Sequence, residues 1–386
     1  MSTAVAPVSG ELAMVAGHGT ARELALQDLR DASQWGAADP EVVAATARRI
    51  AAGDPDAWLR EWTGAGGEAW AAAGRREDAV QYLHAASYYA AALAVIADTD
   101  GSVNETRLWD RQRDCWDRAA QAFGGERVAV TYEGTSLPGY FFSSGRGRRP
   151  LVVVDPGGRA PTSQAWPRAG AAAQARGYHW MTFDGPGRQA ALRRQGLVLR
   201  PDWEAVLGPI ADAVTARADV DASRMAVIGC ELAAFGVIRA LAYEHRFAAA
   251  AVTPGIVDAS SPWIDALPAP VRAALRDHDR AAFDAELHLA DLFAPHTSQR
   301  LRRITRCFDL ADTGLYDVYQ HIRTFRLGRE SDRITTPVLV SADCADRLWP
   351  GQSAALHERL GDRSVLGGEA NAAGPDAVMR WVDGRL

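Results

Sequence analysis

Two hydropathy periods divide the chain. From about Ala21 to Phe123 apolar residues recur every three or four positions, as in ARELALQDLRDA, EVVAATARRIAA and ETRLWDRQRDCWDRAAQAF. That spacing predicts amphipathic helices. The run from Tyr82 to Ala97 is apolar nearly all round and predicts a helix buried on every side. Asp54-Pro55 and Gly64-Ala65-Gly66-Gly67 read as breaks between helices. At Glu126 the period shortens, and RVAVTYEGTSLPGYFFSS predicts two strands around a tight turn. PLVVVDPGG, HWMTFDGPG, RMAVIGC, AAAVTP and PVLVSAD follow as unbroken apolar runs, with helical stretches such as WEAVLGPIADAVTARA and FGVIRALAYEHR between them. Strands alternating with helices predict an α/β fold with a mostly parallel sheet. Such strands are covered on both faces, so they need no polar alternation.

The alternation lapses between Asp258 and Asp332, where PAPVRAALRDHDRAAFDAELHLADLF has helical period. The organisation expected is therefore a disordered tail (1–20), an N-terminal helical domain (21–124) and an α/β core (125–257 and 333–386) carrying a helical cap insertion (258–332). The opening MSTAVAPVSGELAMVAGHG lacks a charged segment followed by a sustained apolar run, so neither a signal peptide nor a membrane span is expected.

Composition narrows the function classes. The chain has 386 residues, is 48% hydrophobic and 23% charged, and carries a formal net charge of −6. That is a globular composition, and it shows no basic stripe suited to nucleic acid. Every non-histidine base is Arg, which reads as codon bias rather than function. Cys115, Cys230, Cys307 and Cys344 form no C-x-x-C pair, so reduced thiols in a cytoplasm are expected. No cofactor motif and no metal-ligand spacing is present, and neither a cofactor nor a metal is expected.

The segments YLHAASYYAAA, VTYEGTSLPGYFF, TFDGPGRQAALRRQG, LRPDWEAVLGPI, VIGCELAAFG, LAYEHRFAAAAVTPGIVD and RLWPGQ resemble, in order, the α/β-hydrolase family of the fermentation–respiration switch proteins and 2,6-dihydroxypseudooxynicotine hydrolase. The resemblance runs from about Ala72 to the C-terminus. It implies an α/β-hydrolase core with an N-terminal helical domain, cleavage of C–C, ester or related bonds, and a homodimer.

Against that family the site is altered. Its G-x-S-x-G elbow, which lifts a serine above the sheet, reads here Gly229-Cys230-Glu231-Leu232-Ala233. Glu231 therefore holds the nucleophile position. Asp346, four residues before Pro350, holds the place of the triad acid. The histidine position falls on Ala370 or Asn371, and no His follows His357. The Gly157-Gly158 turn persists, so the Gly158 and Leu232 amides remain candidates for an oxyanion hole. Glu231 and Asp346 are the catalytic candidates. Gly157, Arg159, Cys230, Trp263, His296, His321 and Trp349 are candidates for the substrate pocket. For most of these packing is an equal or better account, and Asp184 of TFDGPG reads as a turn anchor.

A carboxylate can attack carbon or carry a proton, but it cannot act as a serine alkoxide. The leading expectation is a non-hydrolytic enzyme that cyclises, eliminates or isomerises a polyketide-like intermediate, with Glu231 moving a proton. The alternatives are a hydrolase with a carboxylate nucleophile, and an inactive pseudo-hydrolase that binds a partner.

Overall fold

The computed structural model describes residues 21–50, 54–94, 102–158, 160–308, 313–341, 348–367 and 374–386. The expected tail 1–20, Arg159, Cys344, Asp346, Ala370 and Asn371 lie outside them.

Among the described residues, the helices before the sheet are α1 (Ala21–Gln34), α2 (Pro40–Arg49), α3 (Pro55–Arg76), α4 (Ala79–Leu93) and α5 (Ser102–Ala122). Their starts follow from Asp caps. Asp39, Asp54 and Asp78 each accept backbone N–H groups of the first turn, and Pro40 and Pro55 occupy the first helical position. Asp54-Pro55 thus opens a helix. Gly64 to Gly67, read above as a break, lie inside α3 instead. A β-carbon on Gly66 would stand 2.9 Å from the Tyr89 ring, so the missing side chain lets α3 and α4 approach closely. Helix α4 is buried on almost every side, as its composition predicts.

The sheet has eight strands in the order β1-β2-β4-β3-β5-β6-β7-β8. These are β1 (Gly125–Tyr132), β2 (Thr135–Phe142), β3 (Arg149–Asp155), β4 (His179–Phe183), β5 (Val220–Cys230), β6 (Ala249–Thr253), β7 (Val338–Ser341) and β8 (Ser364–Gly367). The β1–β2 and β2–β4 pairs are antiparallel and all others parallel. Register sets Asp155, the last residue of β3, opposite Gly229 of β5. The turn after β3 and the turn after β5 therefore emerge side by side at the carboxyl edge of the sheet, where open α/β sheets bind ligands.

One face of the sheet shares a core with the N-terminal helices. Trp62, Tyr88 and Trp116 belong to the same buried cluster as Phe142, Val152, Val154, Trp180 and Ile228. That face also carries α6 (Ala171–Ala175), which continues a π-helical turn at Trp166–Gly170. The opposite face packs α7 (Gln189–Gln195), α8 (Glu204–Thr215) and α9 (Leu232–Ala240). Helix α9 stops at Ala240, so the stretch FGVIRALAYEHR is helical only in its first half. Between β6 and β7 lie α10 (Ser261–Asp265), α11 (Ala269–Arg276), α12 (Arg280–Phe293), α13 (Thr297–Ile304) and α14 (Leu315–Ile322). Their buried residues Trp263, Phe283, Leu301 and Tyr319 join Trp203, Leu232 and Phe235 in one cluster.

Trp203 wedges against Gly236 of α9, where a β-carbon would lie 2.7 Å from the ring. Both partners are fully enclosed. Gly236→Ala is expected to lower unfolding free energy by about 1–3 kcal/mol, the usual cost of overpacking, as read by urea denaturation.

Candidate active site

The turn from β5 into α9 is strained. Glu231 sits between the two with φ 51° and ψ −134°, a region that side-chain-bearing residues rarely adopt. Such a residue costs on the order of 1–3 kcal/mol and persists only where its surroundings hold it. Here the Glu231 amide donates to the Thr253 carbonyl at 2.6 Å, tying the turn to β6. Gly229 is needed below it, because a β-carbon would meet Val237 at 2.8 Å and the Ala233 carbonyl at 3.1 Å. The adjoining turn after β3 presents Gly157 with φ 113°, where a β-carbon would approach Glu231 Oε2 to 3.0 Å. Gly158 packs beside Leu232. The two oxyanion candidates, Gly158 and Leu232, therefore adjoin one another next to the Glu231 carboxylate.

Arg168 completes this group, and sequence reading missed it. Its Nη2 donates to Glu231 Oε1 at 2.6 Å, and its Nη1 donates to the Pro156 carbonyl. The side chains of Arg168 and Glu231 are 23% and 15% exposed, so the ion pair is largely sheltered but reachable from solvent. Burial works against the Arg168 cation, but the charge of Glu231 and the hydrogen bond to its carboxylate offset it and hold the guanidinium above its ordinary value. A cation in hydrogen-bonding contact favours the ionised carboxyl group. The one clue in the sequence is a lone arginine in the otherwise uncharged run AWPRAGAAAQA, just after the Gly-Gly turn.

Arg168 and Gly158 open onto a cleft of about 110 Å³ between the N-terminal helices and the turns after β3 and β4. Leu29 of α1, Ser87 of α4 and Trp109 of α5 line its outer wall, and Arg193 of α7 lines the core side. Asp28 also lines it, and its charge acts on Arg168. The apolar portion of the lining comes largely from Ala and Leu of α1 and α4.

Cys230 faces the core, and burial raises its thiol to about 11, far from a ready nucleophile. Trp263, His296, His321 and Trp349 do not line the cleft. Trp263 donates to the Ile304 carbonyl at 3.0 Å and Trp349 to the Ala259 carbonyl at 3.2 Å, so both indoles are committed to packing inside the fold. His321 stands edge-on to Phe325 with Nε2 3.4 Å from the Leu199 carbonyl. His296 is exposed, with φ 73°, at the turn between α12 and α13. Asp184 accepts from Arg113 Nη1 at 2.8 Å and also from Thr162, which joins α5 to the turns after β3 and β4. Among the described residues no group of three His, Cys, Asp or Glu is arranged to hold a metal ion, and no helix is long and apolar enough to cross a membrane.

Comparison with solved structures settles the architecture. The structure of 2,6-dihydroxy-pseudo-oxynicotine hydrolase superposes with a TM-score of 0.65 over 92% of this chain and 95% of that one, at 16% sequence identity. The chain has the α/β-hydrolase fold. No protein-family model matches it. Among curated proteins this hydrolase-fold chain is similar to hydrolase LUC6 of a Fusarium species, at 30% identity over 51% of this chain and 52% of the relative. It is similar as well to the hydrolyase poxO of Penicillium oxalicum, at 27% over 58% of each. A third relative is the 20-hydroxy-prefusarin hydrolase FUS2 of Gibberella moniliformis, at 30% over 55% of each. The chain spans little more than half the length of the curated relatives it matches. These relatives are named hydrolases and a hydrolyase.

Proposed function

We propose that this chain is an enzyme that moves a proton on a carbonyl-bearing natural-product intermediate, leading to cyclisation, elimination or isomerisation without net addition of water. The observation that carries the reading is the Glu231–Arg168 pair at 2.6 Å on the strained elbow. In this role the Arg168 cation and the Gly158 and Leu232 amides hold the substrate oxygen that gains negative charge. Each well-aimed donor of this kind contributes on the order of 3 kcal/mol to the transition state. Glu231 takes the proton from the neighbouring carbon and returns it elsewhere on the product. In this reading Asp346 is the second catalytic candidate and the 258–332 stretch is the cap.

A carboxylate base also restricts the substrate. A carboxylate is a weak base, and proton transfer is efficient only when donor and acceptor strengths are matched. The proton removed is therefore an acidic one, as on a carbon flanked by two carbonyl groups. The relatives support a natural-product substrate, because one of them is named for its action on 20-hydroxy-prefusarin.

Two of these relatives, LUC6 and FUS2, are named hydrolases, which favours hydrolysis as the second reading. In it Glu231 attacks carbon or directs a water. Water labelled with oxygen-18 separates the two. The protein is incubated in labelled water with a metabolite extract from a strain lacking it, and the consumed and formed species are followed by mass spectrometry. The proton-transfer reading expects a product without enzyme-dependent label. Label in the product at one atom per turnover establishes hydrolysis instead, and an extract left unchanged by the protein sinks both readings.

A further inference from the structure

Ser87 has no account in the fold. It lies within α4, is 2% exposed, and its Oγ has no hydrogen-bond partner among the described residues. Buried hydroxyls are nearly always paired, and leaving one unpaired is unfavourable by about 1–3 kcal/mol. A serine in a helix commonly satisfies itself on the carbonyl one turn back, as Ser33 does on Leu29 at 2.7 Å. Ser87 does not, and it lines the same cleft as Arg168 and Gly158. Ala90 and Ala91 of α4 and Leu29 of α1, which line the cleft with it, carry no polar side chain, and the Asp28 carboxylate of α1 acts on Arg168. On the opposite side of the cleft, by contrast, the polar groups have partners. Gln189 accepts from Trp109 Nε1 at 2.8 Å, and Arg193 pairs with Glu105 at 2.7 Å.

We propose that Ser87 Oγ is a ligand contact, and that the cleft takes a compact, mainly apolar molecule with oxygens at two ends. An enolisable carbonyl end meets Arg168 and Gly158. A hydroxyl or carbonyl oxygen at the other end hydrogen-bonds to Ser87. The Ala, Leu and Trp109 surfaces between them hold an apolar body. This rests on the reading of the cleft beside the Arg168–Glu231 pair as the substrate site, and it adds the second point of recognition that sets substrate orientation.

The test uses a probe pair differing only at the far end: benzoylacetone and its 4-hydroxyphenyl counterpart. Both carry a 1,3-dicarbonyl head on an apolar ring, and only the second bears the remote hydroxyl. Affinities are measured by isothermal titration calorimetry on the full chain. The wild type is expected to prefer the hydroxylated probe by roughly three- to tenfold, the range of one neutral hydrogen bond. Ser87→Ala is expected to erase that preference and leave benzoylacetone binding unchanged. Ser87→Cys, which keeps the shape and weakens the hydrogen bond, is expected to do the same, so loss of fold cannot imitate the result. A preference that survives in both variants overturns the proposal. So does the absence of a preference in the wild type, or failure of both probes to bind it. Glu231→Gln keeps the outcomes apart: if it retains turnover, the catalytic reading falls while the Ser87-dependent preference stands. If turnover is lost and no Ser87 effect appears, the reverse holds.

Discussion

Glu231→Gln is expected to lower kcat by about 10²–10⁴-fold, the usual contribution of a positioned general base, with a much smaller change in KM. The amide keeps the size and hydrogen-bonding shape of the carboxylate but cannot accept the proton. The measurement is single-turnover consumption of the intermediate identified in the extract experiment. Glu231→Ala is expected to fall as far. Arg168→Met is expected to lose a similar amount, and the double variant little more, because the two groups act as a unit and their effects do not add. Wild-type rates in both Glu231 variants would remove the carboxylate from the chemistry. Folding controls are needed, since either change leaves a sheltered charge without its partner. With 15–23% of each side chain exposed, that loss stays well below the 3–5 kcal/mol seen for fully enclosed pairs.

The largest stability effect is expected at Asp184. Its carboxylate is 1% exposed and is shared by Arg113, Thr162 and the Ala190 amide at 3.3 Å. Asp184→Ala strands the sheltered Arg113 cation and unties α5 from the turns after β3 and β4. A loss of about 3–5 kcal/mol in urea-unfolding free energy is expected. Arg113→Met in the same chain should recover part of it, because removing both charges is less damaging than removing one. A double-mutant cycle measures that coupling directly. An additive pair of losses would show that the ion pair does not carry the attachment.

The fold was readable because its signals are local. Buried parallel strands announce themselves as apolar runs, and Val152 to Val154 and Ala226 to Ile228 are enclosed as those runs predict. The elbow was readable because its residues are contiguous, and the substitution of Glu231 shows by simple alignment of five positions. Arg168 was not readable, since it lies 63 residues from Glu231 and only sheet register brings the two turns together. The glycines of α3 were misread for a related reason. Gly66 serves the Tyr89 ring on another helix, a demand that no local rule reports. Trp263 and Trp349 do not line the cleft beside Arg168, and each indole N–H meets a backbone carbonyl within the fold. Ser87 was overlooked because a lone serine among alanines looks neutral until its orphaned hydroxyl is located.

The shared core of the N-terminal helices and the sheet has a consequence for how the molecule comes apart. Trp116 stands edge-on to Tyr140 and tilted against Phe142, which stacks in turn on Trp180 at 3.8 Å. These rings make one continuous apolar mass across helix and sheet. The helices and the sheet on this side are therefore expected to melt together in one cooperative transition. A fragment beginning at the first strand would carry a naked face of tryptophan and phenylalanine, suited to aggregation rather than to catalysis.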